Sequence, residues 1–178
     1  MRIIAGNMKG RKLNSPKDNA VRPTSDKVKE AVFSMIGEYI DGASVIDLFA
    51  GSGNLGLEAL SRGANVCYFC DNSDESIRLL KSNIELCKAG GRSRIFHGDF
   101  RKALSGIPEK ADIIFLDPPY EKELLEKCFI NISETGALKE GGIIVAEHDG
   151  KMILCEIISS FNKMKEKKYG KVFVSLYS

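Results

Sequence analysis

The feature that most constrains the fold is a regular alternation, from residue 44 onward, of short apolar runs with helical segments. Runs that are apolar throughout and rich in β-branched residues are typical of strands buried on both faces of a sheet. Strands that alternate with helices form parallel βαβ units. The pattern predicts strands at 44–48, 65–70, 94–97, 112–116 and 142–147, with helices at 55–62, 73–88, 101–104 and 121–135.

The two ends of the chain depart from this alternation. The first 20 residues predict a small hairpin, followed by a helix that Thr24-Ser25-Asp26 caps and that runs to about Tyr39. The last segment predicts a helix over 152–161 and an antiparallel pair of strands, 164–169 and 172–177, around Gly170. We therefore predict an α/β fold with a mostly parallel, doubly wound sheet, a C-terminal antiparallel pair, and an N-terminal hairpin plus helix over residues 1–40.

The composition fits one domain that spans all 178 residues, because 43% of them are apolar and the mean hydropathy is −0.13. No run approaches the ~20 apolar residues that a bilayer span needs, and the start lacks a signal-peptide core, so we expect a cytoplasmic protein that avoids membranes. Cys67 and Cys70 form a CxxC inside an apolar run without a second ligand pair, which favours core cysteines over a redox or zinc site. No metal is expected.

Positive charge is concentrated at the start of the chain. Residues 1–29 hold eight Lys or Arg against two Asp, a net charge of +6, whereas the remainder carries −4. Clustered positive charge is typical of a surface that binds a polyanion. A solvated basic tail is the alternative.

A glycine-rich loop follows the first predicted strand and contains Gly51, Gly53 and Gly56. Such glycines allow a tight turn, close approach of a ligand to the backbone, and close packing of the next helix, whose N-terminus favours negative groups. Asp71 ends the second strand, where its carboxylate can accept both hydroxyls of a ribose. Read literally, this is the dinucleotide fingerprint, so NAD is one candidate cofactor.

Two further carboxylates favour S-adenosylmethionine over NAD. Asp47 precedes the loop, where it would attract a cationic methionine group and repel a pyrophosphate. Asp99 follows the third strand and suits an acceptor for an adenine amino group, although it can also cap the next helix. The predicted cofactor site comprises Asp47, Phe49, Ala50, Gly51, Ser52, Gly53, Gly56, Asp71, Asn72, Asp99 and Phe100.

The segment Asp117-Pro118-Pro119-Tyr120 follows the fourth strand, beside the point where open α/β sheets bind ligands. The prolines stiffen the backbone and present carbonyls, so Asp117 and the Pro118 carbonyl can accept both hydrogens of an NH₂ group. This directs the nitrogen lone pair towards a methyl sulfonium, and Asp117 stabilises the charge that develops on nitrogen. Tyr120 offers a face on which an extruded base can stack. We predict that these four residues are catalytic; a simple turn is the alternative.

These residues resemble the class I methyltransferases that carry a D/N-PP-Y/F motif and alkylate amino nitrogens. Segments 2–6, 9–13, 22–33 and 47–53 together resemble the RsmD family, bacterial enzymes that methylate N2 of a guanine in small-subunit ribosomal RNA. The resemblance implies a Rossmann-like fold, S-adenosylmethionine as the cofactor, and ribosomal RNA or the small ribosomal subunit as the partner. One departure is Asn54, where relatives usually carry a small residue.

The resemblance also gives the basic N-terminal segment a role. It implies that the hairpin and the segment after it bind RNA phosphates beside the cofactor cleft, and the predicted contacts are Lys9, Arg11, Lys12, Arg22 and Thr24. A monomer is expected. The alternatives are an adenine-N6 methyltransferase with the same catalytic segment, an NAD-dependent oxidoreductase, and a catalytically silent RNA-binding factor on the same fold.

Overall fold

The computed structural model describes residues 1–15, 26–118 and 122–178. The predicted site residues Arg22, Thr24, Pro119 and Tyr120 lie outside the described residues, as does the predicted capping pair Thr24-Ser25. Within the described part of the chain, no helix is long and apolar enough to cross a membrane.

A central sheet of eight strands, flanked by helices, organises the described residues. The strands are β1 (Ser44–Asp47), β2 (Val66–Asp71), β3 (Ser93–His97), β4 (Ala111–Leu116), β5 (Leu138–Asp149), β6 (Ile157–Ile158), β7 (Phe161–Tyr169) and β8 (Val172–Tyr177). The helices are α1 (Asp26–Met35), α2 (Asn54–Ser61), α3 (Asp74–Cys87), α4 (Phe100–Gly106) and α5 (Lys122–Thr135), and short 3₁₀ turns occupy Gly37–Tyr39 and Gly90–Arg92.

The strand order is β3-β2-β1-β4-β5-β8-β7-β6. Strands β1 to β5 pair in parallel, and β8, β7 and β6 pair antiparallel. This confirms the predicted doubly wound sheet with a C-terminal antiparallel pair, to which the short strand β6 adds a third member that was not predicted. The continuous apolar runs form this sheet because every residue of β1 is buried and β4 is buried over most of its length. Such strands gain free energy only when helices cover both faces.

Two apolar layers enclose the sheet. One contains buried residues of α1, α2, α3 and the N-terminal hairpin, with Phe33 of α1 tilted against Phe115 of β4 at 5.8 Å between ring centroids. The other contains α4 and α5, with Phe129 edge-on to Tyr177 at 4.8 Å. Cys67 belongs to the first layer and Cys70 to the second, so the CxxC pair faces opposite sides of the sheet. The interpretation of both cysteines as core residues is confirmed.

The predicted helix over 152–161 is wrong. The segment is a loop that leads into β6 and β7, and Ser159 has a φ of 55°. Leu154, Ile158 and Phe161 are buried at intervals that mimic a helix, which misled the prediction. The loop carbonyls are satisfied by side chains instead, because Lys163 donates to the Leu154 carbonyl at 2.8 Å and Tyr177 donates to the Cys155 carbonyl at 2.7 Å.

Strand β5 begins at Leu138, four residues before its predicted start. The register between β4 and β5 shifts in this region, between Ala111 and Ile113 of β4. Gly141 has a φ of 74°, which a glycine adopts at little energetic cost, so the strand continues through the irregularity.

The predicted N-terminal hairpin is confirmed in residues 1–15. Arg2 and Lys12 form an antiparallel bridge, and the Ile3 amide donates to the Arg11 carbonyl at 2.9 Å. The hairpin is too short to be stable alone, and it gains stability by burying Ile3, Met8 and Leu13 against the first layer.

A buried ion pair joins this hairpin to α1 and α2. Lys29 Nζ lies 3.1 Å from Glu58 Oε2, and both side chains are fully buried. The Glu58 carboxylate also accepts the amides of Ile4 and Ala5 at 2.8 and 3.0 Å, and it pairs with Arg62 at 2.7 Å. A buried charge is tolerated only when its partners satisfy it, so this pair fixes the hairpin where it lies.

Replacing Lys29 by Met leaves Glu58 with one cation fewer in a buried site. We expect the free energy of unfolding to fall by about 3–5 kcal/mol, as measured by urea denaturation. Arg2→Met is the matched control because the Arg2–Asp26 pair is exposed, and such pairs contribute at most about 1 kcal/mol. Equal losses in the two variants would contradict the role given to the buried pair.

Candidate active site

Strand β1 lies in the sheet between β2 on one side and β4 on the other. The strand order changes direction between β1 and β4, and this change leaves a crevice at the carboxyl edge of the sheet. Asp47, the last residue of β1, is in register with Phe69 of β2 and Phe115 of β4. Asp71 and Asp117 each follow two residues later, so the three carboxylates share the carboxyl edge of the sheet. Open α/β sheets bind ligands at this point.

The glycine loop uses its glycines in two ways. Gly51 has a φ of 52°, and a Cβ placed there would meet nothing within 4 Å, so the space beside it is open to a ligand. Gly56 serves packing, since a Cβ there would lie 2.3 Å from the Phe69 ring. Gly53 has a φ of 81°, and a Cβ placed there would lie 2.6 Å from the Leu80 side chain, so both its backbone conformation and its packing favour glycine.

Asp71 is held in a fixed orientation by the loops on either side of it. One carboxylate oxygen accepts the Gly51 amide and the other accepts the Ser73 amide, both at 2.9 Å. Ala50 donates to the Cys70 carbonyl at 2.9 Å, which ties the glycine loop to the end of β2. Asn72 is exposed beside this half-buried carboxylate. Each oxygen of Asp71 retains acceptor capacity for a hydroxyl group.

Asp47 is buried, with only 2% of its surface exposed, and its carboxylate accepts the Gly56 amide at 3.1 Å. Burial raises the pKa of Asp47 from 3.8 to about 7, the Gly56 hydrogen bond opposes this shift, and the negative charges of Asp117 and Asp71 add to it. The three carboxylates are therefore close enough to interact, and the site disfavours further negative charge.

Asp117 is half-buried and Pro118 is buried directly after β4. Their placement at the crevice agrees with the position predicted for the catalytic segment. The described part of that segment ends at Pro118.

The loop after β3 brings Asp99 next to Asp71. The Gly98 amide donates to the Asp71 carbonyl at 3.0 Å, and the Asp99 carboxylate accepts the Arg101 amide at 2.9 Å as the cap of α4. About half of the Asp99 side chain is exposed, so the cap leaves acceptor capacity for a ligand. Phe49 and Phe100 face each other at 6.0 Å and form an apolar wall on the α4 side.

The predicted basic residues of the hairpin are not gathered at the crevice. The hairpin turn lies over the end of α2, where the Asn7 amide donates to the Ser61 carbonyl at 2.8 Å. Arg11 donates to the Leu86 carbonyl at 2.8 Å near the end of α3, while Lys9 and Lys12 are exposed. Both helix ends point away from the carboxyl edge, so the hairpin turn with Lys9, and Arg11, lie at a distance from the glycine loop. Lys12 instead pairs with Arg2 at the open end of the hairpin, and the Arg2 carbonyl accepts from Lys29, which also contacts Asn54.

Two polar residues that sequence reasoning missed connect the hairpin to the glycine loop. Asn83 donates to the Ser52 carbonyl at 2.9 Å and to the Asn14 carbonyl at 3.1 Å. Lys29 donates to Asn54 Oδ1 at 2.8 Å and to the Arg2 carbonyl at 2.6 Å. Asn54, where relatives usually carry a small residue, thus accepts a buried hydrogen bond from Lys29, and Lys29 in turn contacts the N-terminal segment. The signal was a polar residue within the apolar face of each helix, at Lys29 and Asn83.

The residues that the structure describes contain no group of three His, Cys, Asp or Glu side chains arranged to hold a metal ion.

The raised pKa of Asp47 makes stability depend on pH. Between the unfolded pKa near 4 and the folded pKa of about 7, the folded protein binds the proton more tightly, so stability falls as pH rises through this window. We expect Asp47→Asn to remove this pH dependence. Between about pH 5 and 8 the free energy of unfolding of the wild type should therefore fall by roughly 1–3 kcal/mol more than that of the variant. Denaturation at each pH, with the exposed Asp74→Asn as control, measures the difference. Parallel pH profiles for wild type and Asp47→Asn would contradict it.

The chain is similar to known proteins over nearly its whole length. The family described as "Conserved hypothetical protein 95" matches residues 1–178. YlbH of Bacillus subtilis (strain 168), provisionally named an rRNA methyltransferase, is 41% identical over 180 residues, which cover 99% of this chain and 98% of that protein. Ribosomal RNA small subunit methyltransferase D of Escherichia coli (strain K12) is 33% identical over 177 residues, which cover 99% of this chain and 89% of that protein.

Solved structures extend the likeness to the fold. The structure of yhhF from Escherichia coli, provisionally named a methyltransferase, superposes with a TM-score of 0.88 at 33% identity, covering 99% of this chain and 96% of that chain. The predicted Rossmann-like methyltransferase fold and the family resemblance are confirmed. The chain belongs to the family described as "Conserved hypothetical protein 95", the methyltransferase family of ribosomal RNA small subunit methyltransferase D, or RsmD.

Proposed function

We propose that the protein transfers a methyl group from S-adenosylmethionine to the exocyclic N2 amino group of a guanine in small-subunit ribosomal RNA. The observation that carries this proposal is the convergence of Asp47, Asp71 and Asp117 at the crevice of the sheet, in a chain of the RsmD family. Relatives named ribosomal RNA small subunit methyltransferase D support the substrate class.

The carboxylates support a cationic cofactor. Asp71 would accept the ribose hydroxyls, and the open space beside Gly51 would receive the methionine group. The pyrophosphate of NAD would meet three negative side chains here, which is unfavourable in a partly buried site. Asp99 and the wall of Phe49 and Phe100 would accept the adenine ring and its amino group.

Asp47 would contribute through its charge. A cation bound near the crevice favours the ionised carboxylate, so binding would lower the raised pKa of Asp47 and release its proton. The Gly56 hydrogen bond keeps the carboxylate oriented while this happens.

Asp117 and the Pro118 carbonyl would hold the two hydrogens of the guanine amino group. When bound, S-adenosylmethionine supplies an electrophilic methyl group on a sulfonium. With both N–H bonds fixed, the nitrogen lone pair would be directed towards that methyl group, and Asp117 would stabilise the positive charge that nitrogen acquires as the N–C bond forms, the methyl–sulfur bond breaks and S-adenosylhomocysteine leaves. The nitrogen would then lose one proton, which the Asp117 carboxylate that accepts its hydrogen bond would pass to solvent. The choice of guanine N2 over adenine N6 is supported only by the resemblance to the RsmD family, because this chemistry serves both.

The hairpin would supply part of the RNA contact. Lys9 and Lys12 are exposed and would bind phosphates, together with Arg22 and Thr24 in the segment beyond it. Arg11 would act through its bond to the Leu86 carbonyl, which anchors the hairpin to α3.

Replacing Asp71 by Ala should weaken S-adenosylmethionine and S-adenosylhomocysteine alike. Each charge-assisted bond removed costs about 1.5–3 kcal/mol, measured by titration calorimetry. Asp74→Ala, an exposed acid three residues away, should leave both affinities unchanged. The cofactor assignment fails if NAD binds tightly while neither methionine derivative binds.

Replacing Asp117 by Ala should slow methyl transfer about 10²–10³-fold in single turnover, because a preorganised charge at the reacting nitrogen is lost. The affinity for S-adenosylhomocysteine should stay within about twofold. Asp112→Ala, at the opposite end of β4, is the control.

The assay follows labelled methyl transfer onto unmodified small-subunit RNA and onto subunits, with identification of the modified nucleoside. A normal rate for Asp117→Ala would make it a turn residue only, and a product methylated at adenine N6 would exclude guanine.

A further inference from the structure

The chain has a second region rich in positive charge, which the proposed function does not use. Residues 149–178 carry six lysines against three acidic residues, a net charge of +3, whereas residues 30–148 carry −7. The acidic middle contains the crevice carboxylates. A basic region at each end of the chain therefore flanks an acidic active site.

The turn between β7 and β8 lies at the same edge of the sheet as the crevice. Val172, the first residue of β8, pairs with Asp149, the last residue of β5. Leu116 pairs with Ala146, so Asp117 lies near the same end of β5. With neighbouring strands about 4.8 Å apart, β8 and β7 are roughly 10 and 14 Å from β4.

Three lysines converge at this turn, and we call Lys151, Lys168 and Lys171 the C-terminal lysine surface. The Gly150 amide donates to the Lys171 carbonyl at 2.8 Å, which brings Lys151 beside the turn. A Cβ at Gly150 would lie 3.0 Å from the Phe173 ring, and Lys168 Nζ lies 5.5 Å from the centre of that ring. One half-buried aromatic ring thus holds the two segments together.

The three lysines are exposed, and the neighbouring acids have contacts elsewhere. The Asp149 carboxylate accepts the Lys151 backbone amide at 2.8 Å, and Glu166 accepts from Ser175 at 2.8 Å and pairs with Lys163 at 3.2 Å. Lys163 is largely buried within this network and does not belong to the surface. Among the described ion pairs none involves these three lysines, and Lys168 keeps its contact with the Phe173 ring.

Lysines on an edge strand can also serve only to prevent strand pairing between molecules. That role explains exposed lysines within β7, such as Lys165 and Lys167. It does not explain Lys151, which follows β5, or Lys171, which lies in the turn. Their position at the carboxyl edge of the sheet instead suits a ligand that extends outward from the crevice.

We propose that the C-terminal lysine surface binds phosphates of the RNA that flanks the target nucleotide, on the side of the crevice opposite the N-terminal hairpin. The hairpin contacts α2 and α3 beside β1 to β3, whereas the surface lies beyond β4 and β5. RNA held at this surface and by Lys12 at the open end of the hairpin would place its backbone across the acidic crevice, which alone repels it. This inference rests on the proposed function for the identity of the nucleic acid.

The test compares three variants of the full chain in binding to unmodified small-subunit ribosomal RNA, transcribed in vitro, with S-adenosylhomocysteine present. In the first, Lys151, Lys168 and Lys171 are replaced by Gln. The matched control replaces Lys88, Lys110 and Lys139 by Gln, because these exposed lysines lie at the opposite edge of the sheet and remove the same charge. Replacement of Lys9 and Lys12 by Gln is the comparison for the hairpin.

The first variant can no longer neutralise three RNA phosphates. The plot of the logarithm of the RNA association constant against log salt should therefore become shallower, its slope falling in magnitude by about 2, at roughly 0.7 per phosphate. The RNA affinity at about 0.1 M salt should fall at least about tenfold, while the control variant keeps the wild-type slope. Replacing the same three lysines by Arg should retain the slope. If thermal melting shows that the triple Gln variant is destabilised, Lys171→Gln is tested alone. The magnitude of its salt slope should then fall by about 0.7.

Equal slopes for the surface variant and the control would overturn the inference and leave these lysines as surface charges that do not contact RNA. A methylation assay with S-adenosylmethionine, on the same RNA and on small subunits, separates this outcome from failure of the proposed function. If wild type methylates either substrate and the slopes are equal, only the inference fails. If wild type transfers no methyl group to either substrate but the surface variant loses RNA affinity, the proposed function fails and RNA binding by the surface is retained.

Discussion

The buried pair of Lys29 and Glu58 is the interaction on which the arrangement of the N-terminal segment depends. An isolated buried charge would destabilise the fold, yet each member here has several polar partners. Glu58 receives two hairpin amides and the Arg62 guanidinium, while Lys29 reaches the Arg2 carbonyl and Asn54. One ion pair thus connects the hairpin, the first helix and the helix that begins at the glycine loop. The contacts of Asn83 repeat this connection from the other side of the loop.

The crevice shows the opposite use of charge. Parallel strands that end at one level bring Asp47, Asp71 and Asp117 together, and no cation among the described contacts of Asp47 relieves its burial. Because the pKa of Asp47 is raised to about 7, the folded protein binds its proton more tightly than the unfolded chain does, and stability falls as pH rises towards that value. Groups with strongly perturbed pKa values are found most often at functional sites, where such a cost is retained for binding. The site is thus prepared for a cationic ligand.

The sequence predicted the sheet and the crevice because their signals are local. Continuous β-branched runs identify buried parallel strands, and loops that follow such strands meet at one edge. The helix predicted over 152–161 failed because its apolar spacing was real but its backbone hydrogen bonds went to distant side chains, Lys163 and Tyr177. Lys29 and Asn83 were missed for a related reason, since a polar residue on an apolar face reveals its partner only in three dimensions. The position of Arg11 at α3 likewise depends on how the hairpin packs.

The attachment of the hairpin also sets an order of events during synthesis. Its amides at Ile4 and Asn14 bond to side chains that lie 54 and 69 residues later in the chain. At about 5–20 residues per second, the ribosome needs roughly 3–14 seconds to add the second of these partners. Throughout that interval Ile3 and Met8 have no surface to cover them, and the basic side chains beside them stay unconstrained. The hairpin is made before its partners and therefore reaches its native surroundings only once α3 has been made, so a nascent chain that stalls before α3 would expose it.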